Sequence, residues 1–140
     1  MTWLLDTNAL SELSKPHPNP GVTEWFSDRK DDEARMFVSA LSLAEIYRGV
    51  HLLAEARRAR LRAWALTDLP ARFAGRIISF DEPVARTWGA MTARLPKGVV
   101  VSTMDSLIAA TAVHHGLTLV TRNVRDVRHF ADLSVECPWR

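Results

Sequence analysis

The feature that most constrains this chain is a repeated hand-over: a short apolar run stops abruptly, small polar or acidic residues follow, and helical periodicity begins. Trp3-Leu4-Leu5 ends in Asp6-Thr7-Asn8, after which Ala9, Leu10 and Leu13 fall at helical spacing. Met36-Phe37-Val38-Ser39 leads to a helix that the sequence opens at Ser42 and that carries Leu43, Ile46, Tyr47, Val50 and Leu53. Ile77-Ile78-Ser79-Phe80 reads as a third strand, followed by Asp81-Glu82-Pro83, a helix start with proline in the first turn, where its missing N–H costs nothing. Thr118-Leu119-Val120 runs straight into Thr121-Arg122-Asn123, and Ser134-Val135-Glu136 supplies a fifth strand. Strands alternating with helices in this way predict an α/β fold with a mainly parallel central sheet of four to five strands and helices on both faces.

The remaining segments fit between these steps. Pro16, Pro18 and Pro20 mark a loop, and residues 21 to 30 form a short helix with Val22, Trp25 and Phe26 on one side. From Glu55 to about Phe73 an arginine-rich stretch keeps Leu61, Trp64, Ala65 and Leu66 apolar, which predicts one amphipathic helix broken near Pro70. Ser102 or Thr103 caps a helix containing Leu107, Ile108, Ala109, Ala112 and Val113, and Gly116 closes it. At 140 residues the chain has the usual size of one domain, expected to span 1–140, and the sequence holds no internal repeat.

Charge and cysteine content narrow the function classes only slightly. The formal charge of +2 is compatible with an acidic partner without arguing for one, although Arg57, Arg58, Arg60 and Arg62 crowd one segment and Arg122, Arg125, Arg128 and His129 another. Arg122 and Arg125 are the candidates for contact with phosphate. Cys137 is the only cysteine, so neither an internal disulfide nor a zinc knuckle is available. With no basic apolar leader and no run of about 20 apolar residues, the expected location is the cytoplasm, with no membrane involvement.

The acids carry the chemistry. Asp6, Glu45 and Asp126 follow the first, second and fourth strands, and Asp105 opens a helix. In an open parallel sheet the C-terminal strand ends lie along one edge, outside which ligands bind. Each acid also has a structural explanation: Asp6 as an N-cap, Ser42-Leu43-Ala44-Glu45 as a capping box, Asp105 as a first-turn acid favoured by the helix dipole, Asp126 as a surface acid. Capping accounts for any one of them but not for several on the same edge. Carboxylates about 5 Å apart at an effective dielectric near 20 repel by about 3 kcal/mol per pair, so a cluster of them requires protonation or a cation. An all-oxygen set suits Mg²⁺ or Mn²⁺. Such a cation polarises a phosphoryl oxygen and acidifies a water, so phosphodiester hydrolysis is the leading reaction class. Thr7, Asn8, Thr121 and Asn123 are small polar residues at the same edge, suited to orienting carboxylates or water. His114 and His115 are adjacent, point in different directions on a helix, and are poor joint ligands.

Taken in order, Leu4-Leu5-Asp6-Thr7-Asn8, Ser42-Leu43-Ala44-Glu45, Asp105-Ser106-Leu107-Ile108-Ala109-Ala110-Thr111-Ala112 and Thr121-Arg122-Asn123 with Asp126 resemble the motifs of PIN-domain toxins of type II toxin–antitoxin modules, the VapC and FitB group. Asp81-Glu82-Pro83-Val84-Ala85 and Pro138-Trp139 are similar to the FitB branch. The resemblance implies a PIN-like fold and a Mg²⁺- or Mn²⁺-dependent endoribonuclease that is usually a homodimer. It implies inhibition by a cognate antitoxin and binding of operator DNA only through the toxin–antitoxin complex. Asp6, Glu45 and Asp105 match the family's metal-binding acids, and Asp126 matches its less regular fourth acid. Two departures stand out: Val127 follows Asp126 where an aromatic is frequent, and Val101-Ser102-Thr103 brings no additional acid.

Competing classes fit less well. A receiver-like domain needs a paired acid after the first strand and a lysine after the last, and a phosphatase of the haloacid-dehalogenase kind needs an aspartate where Asn8 stands. The alternative from another class is a catalytically silent PIN-like module that binds RNA or protein.

Overall fold

The period of two along the first strand divides the core. In the computed structural model, which describes residues 1–140, Trp3 and Leu5 of β1 (Trp3–Leu5) join a cluster with Leu10, Met36 and Val38. Leu4, between them, faces the opposite way into a cluster with Ile108, Leu119 and Phe130. A central strand buried on both faces must be apolar throughout, and all three of its residues are at most 5% exposed.

That strand is the centre of a five-stranded, all-parallel sheet. β1 is flanked by β2 (Met36–Ser39) and β4 (Thr118–Val120), with β3 (Ile77–Ile78) outside β2 and β5 (Val135–Glu136) outside β4, giving the order β3-β2-β1-β4-β5. Leu5 is in register with Val38 on one side and Val120 on the other, so the chain leaves these strands at one edge. Because β1 is followed in sequence by β2 on one side and abutted by β4 on the other, the strand order reverses there. A crevice opens outside the carboxyl ends of strands at such a point.

The helices form where the sequence places its caps. Asp6 caps α1 (Thr7–Glu12), Asn19 caps α2 (Pro20–Asp28), Asp81 caps α6 (Glu82–Ala93) with proline in its first turn, and Ser102 caps α7 (Thr103–His115). Gly116 ends α7 with φ of 67°, the left-handed turn that glycine adopts without steric cost. No helix is long and apolar enough to cross a membrane.

Three local expectations are corrected. The helix after β2, α3 (Ala40–His51), begins at Ala40 rather than Ser42, because Ser39 is the cap, its Oγ accepting from Leu41 N at 3.1 Å. Ser42 lies inside that helix, fully buried with an unpartnered hydroxyl, so Ser42 and Glu45 form no capping box. The arginine-rich stretch is helical from Glu55 to Arg72 and loses its regularity beside Pro70 as expected, by way of a π-helical turn at Trp64–Asp68 that joins α4 (Glu55–Ala63) to α5 (Leu69–Arg72). Pro70 cannot donate into the ladder, and the turn widens so that Leu69 N–H reaches Trp64 O instead. A 3-10 turn at Lys30–Arg35 precedes β2 and carried no sequence signal, and β3 stops at Ile78, short of Phe80.

Candidate active site

Asp6 is the residue that the sheet delivers most directly. Its backbone N–H donates to Val120 O at 3.1 Å, extending the β1–β4 ladder by one bond, while its Oδ1 accepts from Ala9 N at 2.9 Å and caps α1. The cap and site readings of this acid therefore coexist. Only 7% exposed, its carboxyl is pushed up by burial to a pKa of about 6. The Thr121 hydroxyl and the N–H groups of Ala9 and Asn8 oppose that shift, and the charge of Asp105 adds to it.

Glu45 arrives from the middle of α3, half-buried, and receives a hydrogen bond of 2.5 Å from the Thr7 hydroxyl to its Oε1. Asp105 sits in the first turn of α7, its N–H bonded to Ser102 Oγ at 3.1 Å. Asp6, Glu45 and Asp105, from three separate elements, line one pocket of about 110 Å³. Thr7, Asn8, Thr121 and Asn123 line it as well, with Thr121 Oγ1 held by Asn123 N–H at 3.0 Å. Sequence reasoning missed the apolar part of the wall, Ile108, Leu119 and Val127. Their spacing signals only core packing, which they also perform.

One expected acid, Asp126, is not brought there: it is exposed and outside the lining, as are Arg122 and Arg125, whose expected contact is with phosphate rather than with the pocket. The reason for Asp126 is helical geometry: α8 (Val124–Val127) turns Val127 inward to 3% exposure, and the preceding residue, about 100° around the helix, faces solvent. As the side chains stand, no three acids converge closely enough to ligate one ion directly. The expected four-carboxylate cage is thus corrected to three acids around a common pocket, with Glu45 turned onto Thr7.

A hard divalent cation still fits this donor set. Every polar side chain in the lining offers oxygen except the Asn amide nitrogens, and no sulfur or imidazole is present. Mg²⁺ keeps several waters and is commonly held through only one or two carboxylates, so separated acids around a pocket of this size are suitable. The buried Asp6 carboxyl, disfavoured as an anion, is the group a cation would compensate.

The PIN domain family model matches residues 3–133. The chain belongs to the PIN-domain family. This PIN domain is 37% identical over 139 residues to toxin FitB of Neisseria gonorrhoeae, with 97% of each chain covered. It is 32% identical over 139 residues to the VapC ribonuclease Y4jK of Sinorhizobium fredii, covering 97% of this chain and 96% of that one. The crystal structure of FitAcB from Neisseria gonorrhoeae superposes with a TM-score of 0.87 at 35% identity, covering 99% of both chains. The α/β PIN fold with its parallel sheet is therefore this chain's fold.

Proposed function

We propose that this PIN domain is a divalent-metal-dependent endoribonuclease, the toxin of a VapBC-type toxin–antitoxin module, that hydrolyses RNA phosphodiester bonds. The observation that carries the reading is one pocket at the switch point of a parallel sheet, lined by three acids from β1's end, α3 and α7. Relatives named as a toxin and as a ribonuclease, each aligned over nearly the whole chain, support it.

In this reading Asp6, Glu45 and Asp105 hold Mg²⁺ or Mn²⁺. When bound there, the ion supplies Lewis-acid polarisation of a phosphoryl oxygen and acidifies water. Thr7 orients Glu45, Thr121 orients Asp6, and Ile108, Leu119 and Val127 exclude bulk water from one wall. A cognate antitoxin restrains the activity, the pair binds operator DNA, and the toxin acts as a homodimer in the cytoplasm.

The test is cleavage of RNA by the purified protein with and without Mg²⁺, beside Asp6→Asn. Metal-dependent cleavage abolished by the substitution supports the enzyme; tight RNA or protein binding with no turnover by the unaltered protein supports a silent binding module.

A further inference from the structure

The three acids of the pocket are not held alike. Asp6 accepts from the Ala9 N–H and Glu45 from the Thr7 hydroxyl, each through its own carboxylate. The Asp105 carboxylate has no such donor: the residue's one bond to a side chain runs through its backbone N–H, to Ser102 Oγ at 3.1 Å. Its charge is also felt at Asp6, and like charges push apart. Asp105 therefore points into the pocket only as firmly as the first turn of α7 is fixed.

Neither the preceding loop nor apolar packing fixes the rotation of that turn. The loop before α7 leaves Val100 92% exposed. Within α7, residues Ile108, Ala109, Ala110, Thr111 and Ala112 are buried without a break, so the helix has no single apolar face to set its rotation, and most of these side chains are small. A polar tether from α6 does reach it. The half-buried Trp88 indole N–H donates to Ser106 Oγ at 2.8 Å, and that hydroxyl, 3% exposed, donates onward to Thr103 O at 2.7 Å. Asp105 lies between the two α7 residues so engaged. Ser106, about 100° further around the helix, anchors the turn to α6 while Asp105 lines the pocket. The other side-chain bond between these helices, between Thr87 Oγ1 and His114 Nδ1 at 3.1 Å, is exposed and lies at the far end of α7.

We propose that Trp88 is a positioning residue for Asp105, setting through Ser106 the rotation of α7 that aims the carboxylate at the cation. The proposal rests on the pocket being a divalent-metal site. A side chain about 6 Å from a helix axis moves by roughly 1 Å when the helix turns by about 10°. A misplacement of that size can cost about a hundredfold in rate. The Trp88 ring itself packs against the core cluster on the Leu4 face of the sheet and does not line the pocket, so its influence passes through α7.

Trp88→Phe keeps a ring in the core and removes only the donor, leaving the Ser106 hydroxyl its bond to Thr103 O. Thr87→Val deletes the exposed bond at the far end of α7 and is the control. Mn²⁺ affinity of the purified protein is read by calorimetric titration without substrate, and the variants are combined with Asp105→Asn in a double-mutant cycle. Trp88→Phe should weaken Mn²⁺ binding by about tenfold, the lower end of what partners behind metal ligands contribute, and Thr87→Val should leave it unchanged. Ser106→Ala, which removes both bonds of the tether, should lose at least as much as Trp88→Phe. In the Asp105→Asn background Trp88→Phe should change nothing further, because its effect passes through that carboxylate. A general loosening of the fold would lower affinity there too, through Asp6 and Glu45, and that result overturns the proposal. Mn²⁺ binding that Trp88→Phe leaves untouched overturns it as well, while the metal site stands. Absence of Mn²⁺ binding by the unaltered protein refutes the metal site itself and the proposal with it.

Discussion

The Thr7 hydroxyl donates to Glu45 Oε1 at 2.5 Å, joining the first residue of α1 to an acid 38 positions later in α3. Two elements that β1 and β2 deliver separately are thereby tied at the mouth of the pocket. Partners that orient metal-binding carboxylates typically contribute about 10- to 100-fold to affinity or activity. Thr7→Val, which keeps the shape and removes the donor, should lower cleavage by that factor and raise the Mg²⁺ concentration for half activity. Thr7→Ser should retain most of it. Equal activity of the Val and Ser variants would mean that the bond is incidental.

Asp6 predicts an unusual pH dependence for the metal-free protein. Its carboxyl titrates near 3.8 when unfolded and about 6 when folded, burial being the main cause. Below the lower value both states are protonated and the group costs nothing; between about 3.8 and 6 the unfolded state ionises while the folded state holds its proton, so stability falls with rising pH by roughly 3 kcal/mol in all and levels off above about 6. Glu12 works in the opposite sense. Burial alone would raise its pKa, but bonds from Lys15, the Asn19 N–H and the Trp139 indole outweigh that and lower it, so its contribution is present above its unfolded pKa and lost in acid. Urea denaturation in EDTA at pH 4 and pH 7, with Asp6→Asn as reference, isolates the Asp6 effect. The unaltered protein should lose stability relative to the variant between those values. Parallel profiles would show that the carboxyl is not desolvated.

Much of this was legible because the physics was local. The apolar runs at 3–5, 36–39 and 118–120 are too short to pack on themselves and must pair, and caps such as Asp81 and Ser102 advertise the helices that follow. What escaped depended on three-dimensional competition. Ser39 and Ser42 are both competent caps, and only the register of β2 decides that Ser39 is still at the helix entrance. Asp126 and Val127 are both in α8, and the side that faces inward is decided by the 3% exposed Val127, since burying the valine is favourable and burying the carboxylate is not.

That placement makes Asp126 a discriminating control. Asp126→Ala should change stability by less than about 0.5 kcal/mol, as exposed substitutions usually do, and should leave the cleavage rate close to the unaltered value. Asp6→Asn should remove several kcal/mol of transition-state stabilisation, a loss of about a thousandfold or more. Comparable losses in the two variants would show that the fourth acid reaches the reacting centre during turnover.

The C-terminal residues close against α2 through a contact that only glycine permits. A Cβ at Gly21 would collide with the Pro138 carbonyl oxygen, a backbone atom that cannot rotate away. The approach is fixed by Asn19, whose side chain donates to Arg140 O at 2.9 Å and accepts from Gly21 N at 2.9 Å and Arg140 N at 3.2 Å. Beside it, the Trp139 indole donates to Glu12 Oε1 at 3.3 Å. Gly21→Ala must displace this segment or strain α2, at a cost of about 1–3 kcal/mol. Gly49→Ala, in an open helical position, should instead be neutral or stabilising by up to about 1 kcal/mol. Chemical denaturation of the two variants gives the comparison, and tryptophan emission reports whether Trp139 has moved into water. A Gly21→Ala protein as stable as Gly49→Ala, with unshifted emission, would show that the tail yields freely and does not hold Glu12 in place.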